Sequence, residues 1–364
     1  MTQQRVPLPR PRWLTQSGPD NDVALSTRCR IARNIDARPF PWRAGEGARK
    51  QVAEAVLDAA RRGGGALGNG RILLGEELSS EETAHLLEWR YVSLDWARPG
   101  AYRRVVVGAD RLTSAMVNEE DHVRVQAIVP GLQVAASREA AEAAEAALGG
   151  SLGFARDERI GFLTASLGNA GSGMRVGVLL HLAALAESAE LDAAVEAAAE
   201  LGCAVRGLYG EGTRALGGFY QVSNASTYGP VAADAPARVA AAARYLVELE
   251  REARRTRYGS ADGRLDLLGA TSSQLRRLAA GELPPARLLV LVSVLRLAAA
   301  EGVFGVGLAE TGEWVAMAGV AATQQVSPAV AVERYEAVWR SAALRQQLRR
   351  AARAAGTFTA EFAE

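Results

Sequence analysis

The stretch Asn118-Glu119-Glu120-Asp121-His122-Val123-Arg124 lies between two strand-like runs, Met116-Val117 and the VRVQAIV of 123–129. Three acids in a row between such runs are typical of a solvated hairpin turn. A turn seldom needs a histidine and an arginine directly after its acids, however. Clustered carboxylates beside a nucleotide can hold magnesium through water, and one of them can serve as a base. The stretch therefore indicates a hairpin whose tip is either a charged surface or a reaction centre.

Outward from this hairpin, the chain mixes short strands with alanine-rich helices. Strands are predicted where runs are β-branched or aromatic and bounded by turns, over 102–109, 123–129, 158–166, 203–210 and 217–224. Helices are predicted over 45–62, 79–92, 137–148, 175–187, 191–201 and 233–257, and a loop over the glycine-rich 63–70. Because strands and helices do not alternate regularly, the pattern predicts an α+β fold with a mainly antiparallel sheet flanked by helices.

Beyond residue 265 the periodicity is helical only, with helices predicted over 271–280, 284–301, 307–318 and 328–354. The first 21 residues are punctuated by prolines and predict a flexible arm. We therefore expect three parts: an N-terminal arm over 1–21, a mixed sheet domain over 22–258 and a helical C-terminal domain over 259–364.

The charge balance restricts how this protein can bind phosphate. The chain has 364 residues and a formal net charge of +1, so no overall field draws it to nucleic acid or to an anionic membrane. Lys50 is its single lysine, and it lies in a helical context. A P-loop needs a lysine after its last glycine, and a eukaryotic-type protein kinase needs one on a strand below the nucleotide. Both classes are excluded, so any phosphate must be bound by arginine.

Cysteine and histidine usage argues against a disulfide framework or a zinc site. Cys29 and Cys203 are too few for either, and His85, His122 and His181 have no metal-ligand spacing. His181 lies on an apolar predicted helix and is expected in the core. The N-terminus lacks the apolar segment of a signal peptide, and no apolar run is long enough to span a membrane. These features predict a protein of the reducing cytoplasm.

Three further segments carry residues suited to anion binding. Ser26-Thr27-Arg28-Cys29-Arg30 places two arginines on one face of an extended segment, where their guanidiniums could grip a polyanion. The glycine-rich 163–175 is predicted as a strand-to-helix turn whose N–H groups could face an anion. The segment 206–212 sets Glu211 between two glycines. Taken alone, each segment has an ordinary structural explanation, as a basic strand, a glycine turn or a hairpin tip.

In this order, the four segments resemble the phosphagen kinase family, the ATP:guanido phosphotransferases, and within it the bacterial protein-arginine kinase branch. The resemblance rests on VALSTRCRIARN, SAMVNEEDHVRVQ, GFLTASLGNAGSGMR and RGLYGEGTRALGGFYQVSN, with VSVLRLAAAEG as a weaker C-terminal match. These matches run from residue 22 to residue 302. The resemblance implies the family's catalytic domain at 22–258, a glutamine-synthetase-like antiparallel sheet flanked by helices, followed by the helical C-terminal domain.

The resemblance also implies a site for ATP and Mg²⁺. Glu120 is implied as the catalytic base or clamp, and Glu211 as the second carboxylate that holds the guanidinium of the substrate. Glu119 and Asp121 are implied near magnesium, through water. Arg90 lies near a position that touches the nucleotide in relatives. The other implied ATP-binding residues are Ser26, Thr27, Arg28, Cys29, Arg30, Arg124, Arg175, Val176, Gly177, Val178, Arg206 and Gly207.

The chain departs from the family pattern at several positions. Ser166 stands where the family has a cysteine, and a serine is a far weaker substitute for a thiolate. Leu167 and Gly168 stand at the family's proline and threonine. The first motif starts at Ser26, which leaves no room for the helical N-terminal domain of small-molecule members and favours protein substrates. The phosphoarginine-binding RDxxRA segment of protein-arginine kinases falls on 336–341, where only Arg340 is retained.

We therefore expect an ATP-dependent protein-arginine kinase of the cytoplasm that marks proteins for Clp-type degradation or stress regulation. Its expected partners are proteins with exposed arginines, an activator protein, the Clp protease machinery and a second copy of the chain. Neither nucleic acid nor a membrane is expected as a partner. Two alternatives stay open: a kinase of a small guanidino compound, and a pseudokinase that binds nucleotide or phosphoarginine.

Overall fold

The computed structural model describes residues 7–208, 215–279 and 287–326. The strands in these residues are β1 (Ala24–Arg33), β2 (Arg71–Leu74), β3 (Arg104–Val107), β4 (Thr113–Val117), β5 (Val123–Pro130), β6 (Arg156–Asp157), β7 (Gly161–Phe162), β8 (Met174–His181), β9 (Cys203–Gly207) and β10 (Phe219–Asn224). β6 and β7 form a hairpin of their own, and the other eight form one sheet in the order β2-β3-β4-β5-β1-β8-β10-β9. Every strand pairing in the described residues is antiparallel, which confirms the predicted α+β class.

The helices follow the apolar periodicity of the sequence. They are α1 (Arg12–Thr15), α2 (Glu46–Gly63), α3 (Gly65–Gly68), α4 (Ser80–Glu88), α5 (Leu94–Ala97), α6 (Val134–Gly149), α7 (Leu191–Glu200), α8 (Pro230–Ala233), α9 (Ala235–Tyr258), α10 (Ala261–Ala279), α11 (Leu288–Ala300) and α12 (Leu308–Val326). The start of α4 shows how local sequence sets a boundary. The Ser79 hydroxyl accepts from the Glu82 N–H (3.1 Å) and the Glu82 carboxylate accepts from the Ser79 N–H (2.8 Å), which is a capping box.

Alternation along β1 separates the sheet into a helix-covered face and a face that carries arginine. Cys29 pairs with Ala127 of β5 and with Val176 of β8, and all three are fully buried in the apolar core beneath α6 and α9. Arg28 and Arg30 alternate with these residues and point to the opposite face. On that second face, α4 and α5 cover only the end formed by β2, β3 and β4. The middle of the arginine face is therefore left for a binding site.

The C-terminal helices pack against the sheet rather than apart from it. Leu295 of α11 and Trp314 of α12 share an apolar cluster with Leu179 of β8 and Phe219 of β10. At the other end of the chain, α1 lies within the predicted arm, and its Trp13 is buried beside β5 and α12. These contacts connect the predicted N-terminal arm and the predicted C-terminal domain to the sheet. The domain boundaries at 21/22 and 258/259 stay predictions.

Two local predictions are wrong. The helix predicted over 175–187 is the strand β8 followed by a short 3-10 helix, Leu185–Glu187. Central strands are buried on both faces, so their continuous apolar run cannot be told from a buried helix by periodicity. The glycine-rich turn at 163–175 therefore leads into a strand. The predicted loop at 63–70 contains α3, and the helix predicted over 328–354 lies outside the described residues.

Across the ranges that the structure covers, none of the helices combines the length and the apolar character needed to cross a bilayer.

Candidate active site

Five arginines from four strands lie on one face of the central sheet. Directly paired residues of antiparallel strands point to the same face, as do residues two apart on one strand. Arg28 and Arg30 of β1 are two apart, and Arg124, Arg175 and Arg206 follow from the register of the neighbouring strands. The register places all five arginines on one face. It pairs Ala32 with Arg124, Arg30 with Arg175, Leu179 with Gln221, and Gln221 with Arg206.

Arg28 and Arg30 have arginine neighbours instead of carboxylate partners. Within the described residues, neither of them forms a hydrogen bond or an ion pair. Burial lowers the pKa of Arg28 well below its usual range, and repulsion from Arg30, Arg90, Arg124 and Arg175 adds to the effect. Burial also lowers the pKa of Arg30 to about 9. Both guanidiniums therefore lie in a concentration of positive charge that a bound anion would relieve, and Glu119 offsets part of that repulsion at Arg30.

The same face offers unused hydrogen-bond donors. The Nε atoms of Arg124 and Arg175 are buried and have no partner among the described residues. Arg175 Nη2 donates to the Gly168 carbonyl (3.3 Å), and burial, with repulsion from nearby Arg206, lowers the pKa of Arg175. Planar guanidiniums bind phosphate oxygens in pairs of hydrogen bonds. The cluster therefore fits an anion with several charges, such as a polyphosphate.

A cleft of about 230 Å³ opens next to these arginines, and Glu120 supplies the one carboxylate among its described lining residues. Burial raises the pKa of Glu120, and the nearby carboxylates of Asp121 and Glu119 raise it further, against the opposing effect of Arg124. A carboxylate with a raised pKa is a stronger base once it is ionised. The cleft is lined by Arg30, Ala32, Glu120, Arg124, Ser166, Gly168, Asn169, Gly173 and Arg175.

Glu119, the acid before Glu120, is engaged with protein groups. It is buried, accepts a hydrogen bond from the Ser93 hydroxyl and forms an ion pair with Arg124. The Ser93 hydroxyl also accepts from the Trp96 N–H (3.1 Å), so Glu119 ties the hairpin to α5. Its second oxygen, Oε2, is buried without a partner among the described residues. Glu119 thus orients Arg124 and keeps one carboxylate oxygen unused.

The histidine that follows the acids has a structural role. His122 is fully buried, and its Nδ1 accepts from the Ile35 N–H (3.0 Å). Its Nε2 lies 2.9 Å from the Pro39 carbonyl, to which it can donate only in the complementary tautomer. Burial lowers the pKa of His122, so the neutral ring that this pairing requires is favoured. His122 therefore fastens the chain that follows β1, with both ring nitrogens engaged by backbone groups.

Asp121 is also engaged with protein groups. Its Oδ1 accepts from Asn34 Nδ2 (2.6 Å) and from the Ala165 N–H (2.7 Å), and its side chain is buried. Asn34 directly follows β1 and was not predicted as a site residue. The sequence signal that could have found it is its position at the end of the strand that carries Arg28 and Arg30.

The described residues do not form a cage for magnesium by themselves. No group of three or more histidine, cysteine, aspartate or glutamate side chains among them could hold a metal ion. Glu119 Oε2 makes no hydrogen bond within the described residues, and neither does Asp121 Oδ2, since both protein donors bond to Asp121 Oδ1. Magnesium commonly keeps several waters and binds through one or two carboxylates together with substrate phosphates. Glu119 and Asp121 each keep one carboxylate oxygen for that mode of binding.

The glycine-rich segment lines the same cleft as Glu120. A short 3-10 helix over Leu167–Asn169 follows Ser166, whose carbonyl accepts from the Thr164 hydroxyl (2.7 Å). The Thr227 hydroxyl holds the segment from the other side, at the carbonyls of Gly168 (3.0 Å) and Ala170 (2.8 Å). Leu167, one residue from the cleft, is 92% exposed. The segment is thus fastened by side-chain hydrogen bonds, and its outer edge faces solvent.

Several residues of the predicted ATP site have side chains that point away from the cleft. Thr27, Cys29, Val176 and Val178 share the helix-covered face and are fully buried there. Burial raises the pKa of the Cys29 thiol to about 12, so it is not a nucleophile. Alternation reverses the direction of neighbouring side chains, and a contiguous motif on a strand can therefore present only every second residue. Ser26 and Gly177 lie on the arginine face with Arg28.

The remaining predicted positions lie at the margins of the arginine face. Arg206 is exposed on β9, next to the buried Gly207. Arg90 lies over the Trp13 ring (5.5 Å to its centre), close enough to Arg28 to lower the pKa of that residue. Glu211, the second predicted carboxylate, lies outside the described residues, as does the segment 336–341.

Comparison with known proteins connects this geometry to one family. The model of the ATP:guanido phosphotransferase C-terminal catalytic domain matches residues 51–253. A protein-arginine kinase from Desulforamulus reducens is 38% identical over 254 residues, which cover 69% of this chain and 71% of that protein. A protein-arginine kinase from Geobacillus kaustophilus is 37% identical over 243 residues, covering 66% of this chain and 67% of that protein.

Solved structures show the same fold at lower identity. The substrate-free duplicated taurocyamine kinase from Schistosoma mansoni superposes with a TM-score of 0.57 at 23% identity, covering 74% of this chain and 40% of that one. Lombricine kinase superposes with a TM-score of 0.55 at 21% identity, covering 68% of this chain and 72% of that one.

Proposed function

Because this chain belongs to the ATP:guanido phosphotransferase family, we propose that it transfers the γ-phosphoryl group of ATP to arginine side chains of proteins. The observation that supports the proposal best is the arginine face itself. Arg28 and Arg30 lie half-buried among further guanidiniums, without a hydrogen bond or ion pair among the described residues, beside a cleft that contains Glu120. This arrangement suits a triphosphate on one side and a cationic guanidinium on the other.

The arginines supply most of what phosphoryl transfer needs. Such a reaction depends on holding donor and acceptor in line and on neutralising the charge that develops on the phosphoryl oxygens. We assign phosphate binding to Arg28, Arg30, Arg124, Arg175 and Arg206. Their positions on strands of one sheet fix their geometry before the nucleotide binds, which lowers the reorganisation needed during reaction.

Glu120 is assigned to the acceptor. A guanidinium is protonated far above neutral pH and is a poor nucleophile in that form. As one nitrogen forms its bond to the γ-phosphorus, the bond from that phosphorus to the β,γ-bridging oxygen breaks and ADP leaves with the electron pair. Glu120 accepts the proton that this nitrogen loses. Glu211 remains the proposed second carboxylate, which would orient the guanidinium.

Magnesium supplies charge neutralisation when it is bound with the nucleotide phosphates. Of the two carboxylates predicted near it, Glu119 through Oε2 and Asp121 through Oδ2 could each hold a water of the metal. Ser166 stands beside Glu120 in the cleft and offers a hydroxyl to the acceptor nitrogen, in place of the family's thiolate.

The exposed lip of the cleft supports a polypeptide as the substrate. Leu167 is 92% exposed directly beside the lining residues Ser166 and Gly168. A long arginine side chain can reach Glu120 from a backbone that stays outside this lip. The cytoplasmic location, the activator protein, the Clp protease machinery, the homodimer and the domain boundaries stay predictions.

The test is transfer from magnesium ATP to an arginine-rich protein such as casein, with free arginine in parallel. Phosphate is located by mass spectrometry under non-acidic conditions, because the P–N bond is acid-labile. We expect phosphoarginine on the protein, lost in Glu120→Ala. Transfer to free arginine at a comparable rate would instead establish the small-guanidino alternative, and nucleotide binding without transfer to either acceptor would establish a pseudokinase.

A further inference from the structure

Three large apolar side chains border the glycine-rich segment that lines the cleft, and all three are exposed to solvent. Leu167 is 92% exposed, Tyr228 is 55% exposed and Ile160 is 43% exposed. Leu167 stands between Ser166 and Gly168, which both line the cleft. Phosphate binding and proton transfer make no use of these apolar side chains.

Close backbone contacts at Gly171 bring the three residues to one segment of the chain. An added Cβ on Gly161, the residue after Ile160, would lie 2.6 Å from the Gly171 carbonyl oxygen. An added Cβ on Gly171 would lie 3.2 Å from Tyr228 Cα. Leu167 begins the short 3-10 helix that precedes Gly171 by two residues. Ile160, Leu167 and Tyr228 therefore surround one short segment, and we call them the apolar lip.

Hydrogen bonds fix the backbone of the apolar lip before any substrate binds. Asp157 Oδ1 accepts from the N–H groups of Arg159 (2.8 Å) and Ile160 (2.9 Å) at the tip of the β6–β7 hairpin. The Ser226 hydroxyl accepts from the Tyr228 N–H and donates to the Tyr228 carbonyl, both at 3.1 Å. Because these segments are already ordered, a partner that binds them pays little of the usual entropic cost of ordering a loop.

The position of the apolar lip restricts what can cover it. Single exposed apolar residues are ordinary on a protein surface, whereas neighbouring ones commonly mark an interaction site. The lip is continuous with the cleft at Leu167, so its occupant has to be compatible with a guanidinium bound beside Glu120. The polypeptide that carries this guanidinium meets the condition, because its backbone stays outside the cleft while its arginine side chain enters.

We propose that the apolar lip binds the substrate polypeptide beside its acceptor arginine and selects arginines that have large apolar residues two positions away. The proposal rests on the kinase function above. In an extended chain, side chains two positions apart point to the same side and lie about 6.6–6.8 Å from each other along the chain. Apolar side chains at these positions face the lip while the arginine enters the cleft.

Two synthetic peptides test the selectivity. Both contain a single arginine in the same glycine- and serine-rich chain, and one has leucine two residues before and two residues after the arginine where the other has serine. The measured quantity is the ratio of kcat/KM for the leucine peptide to that for the serine peptide, with magnesium ATP as donor. For the wild type we expect a ratio of at least about 10, from burial of leucine side chains against the lip.

Variants of the lip should lower this ratio. Leu167→Ser should lower it at least about 3-fold, and the triple variant Ile160→Ser/Leu167→Ser/Tyr228→Ser should bring it to about 1. Leu265 is the matched control, since it is 64% exposed on α10 and does not line the cleft. Leu265→Ser should leave the ratio unchanged. Anisotropy of the fluorescently labelled leucine peptide gives a second readout, and its affinity without nucleotide should fall in the triple variant alone.

A wild-type ratio near 1, or lip variants that lose both peptides equally, would overturn the proposal and leave the kinase function intact. The same holds if Leu167→Ser changes the oligomeric state in size-exclusion chromatography and leaves the ratio unchanged, because the lip would then bind a second copy of the chain. A wild-type protein that transfers phosphate to neither peptide nor to free arginine would instead remove the kinase function, so the two failures have different signatures.

Discussion

At the scale of single residues, the acidic motif divides its work among neighbours. Only Glu120 of the run 118–122 lines the cleft. Asn118 has a left-handed backbone (φ 54°) and donates to the carbonyls of Arg49 (2.9 Å) and Tyr102 (3.0 Å). Glu119, Asp121 and His122 hold neighbouring segments by hydrogen bonds. Most residues of the motif therefore have structural roles, and they hold the carboxylate of Glu120 in the cleft.

The raised pKa of Glu120 gives a prediction for Glu120→Gln. A base must be ionised, so wild-type transfer should decline on acidification at a higher pH than an ordinary glutamate would give. Glu120→Gln should lower transfer by about 10²–10⁴-fold. Because the pKa is higher in the folded than in the unfolded state, ionisation removes stability as pH rises through the folded value.

The ligand-free Glu120→Gln protein should therefore have a higher Tm than the wild type at pH 7. The difference should shrink toward pH 4, as the carboxyl becomes protonated in both states. Calorimetry at the two pH values measures this, and a lower Tm of the variant at pH 7 would contradict the assigned environment.

Arg30 should trade stability against nucleotide affinity. Its pKa is lowered to about 9 by burial and by repulsion from Arg124 and Arg175. Arg30→Gln removes this repulsion, so we expect an unchanged or higher Tm without ligand. Loss of charged hydrogen bonds to phosphate should weaken ATP binding by about 10–100-fold. Arg255→Gln, at an exposed residue paired with Glu252, is the matched control and should leave both quantities unchanged. Equal ATP affinity of Arg30→Gln and wild type would exclude phosphate binding by Arg30.

At the scale of elements, strand alternation decides which residues of a motif can act. β1 sends Arg28 and Arg30 to one face and Cys29 to the other. β8 lies between β1 and β10, and successive side chains along it are buried on both faces of the sheet. Its apolar residues therefore form a continuous run, which in the sequence cannot be told from a buried helix. The glycine-rich turn before β8 fits against the end of β1 because Gly173, at the point of contact, has no side chain.

Gly173 makes this close fit testable. Its φ is +64°, and an added Cβ would lie 2.5 Å from Arg33 Nη1 and 2.6 Å from the Ala32 carbonyl oxygen. A non-glycine residue in the left-handed region costs about 1–2 kcal/mol, and the contact with the backbone adds to this cost. We expect Gly173→Ala to lower the free energy of unfolding by more than about 2 kcal/mol and to reduce ATP affinity.

The comparison is Gly269→Ala, in the middle of α10, where an added Cβ meets nothing within 4 Å. That variant should raise the free energy of unfolding by up to about 1 kcal/mol, because alanine favours the helix. Urea denaturation measures both. Gly173→Ala and Gly269→Ala with equal stability would disprove the packing of the glycine segment against β1.

At the scale of the whole molecule, a buried ion pair joins the sheet to the long helix α9. Glu250 accepts from Arg254 Nε (2.6 Å) and from the Leu185 N–H (2.8 Å) just after β8. Arg254 also donates to the carbonyls of Asp22 and His181 (both 3.3 Å). His181 is fully buried, as predicted, although it lies on a strand and its Nε2 lies 2.9 Å from the Ser293 hydroxyl of α11.

Breaking this pair should destabilise the entire fold. Glu250→Gln removes the buried carboxylate and leaves Arg254 only the more distant Glu301, 3.9 Å from its Nη1, which costs about 3–5 kcal/mol. The exposed pair of Arg255 and Glu252 provides the control, and Glu252→Gln should change the free energy of unfolding by less than about 1 kcal/mol. Urea denaturation distinguishes the two variants. Similar small losses in both would mean that the network does not hold α9 to the sheet.

The sequence by itself determined the antiparallel α+β class, the use of arginine in place of lysine, and the segments that build the site. These follow from composition, from short β-branched runs and from motifs, all of which are local properties of the chain. It could not determine which motif residues face the cleft or that β8 is a strand. Those depend on which strands become neighbours.

Only the tertiary structure decided the roles within each motif. Asn34, Asp121 and Ala165 are far apart in the chain and meet through hydrogen bonds that no local pattern encodes. The burial of Thr27, Cys29 and Val176 follows from the helices that cover one face of the sheet. A sequence motif reports which side chains are present, whereas burial and hydrogen-bond partners, which set their chemistry, are properties of the folded chain.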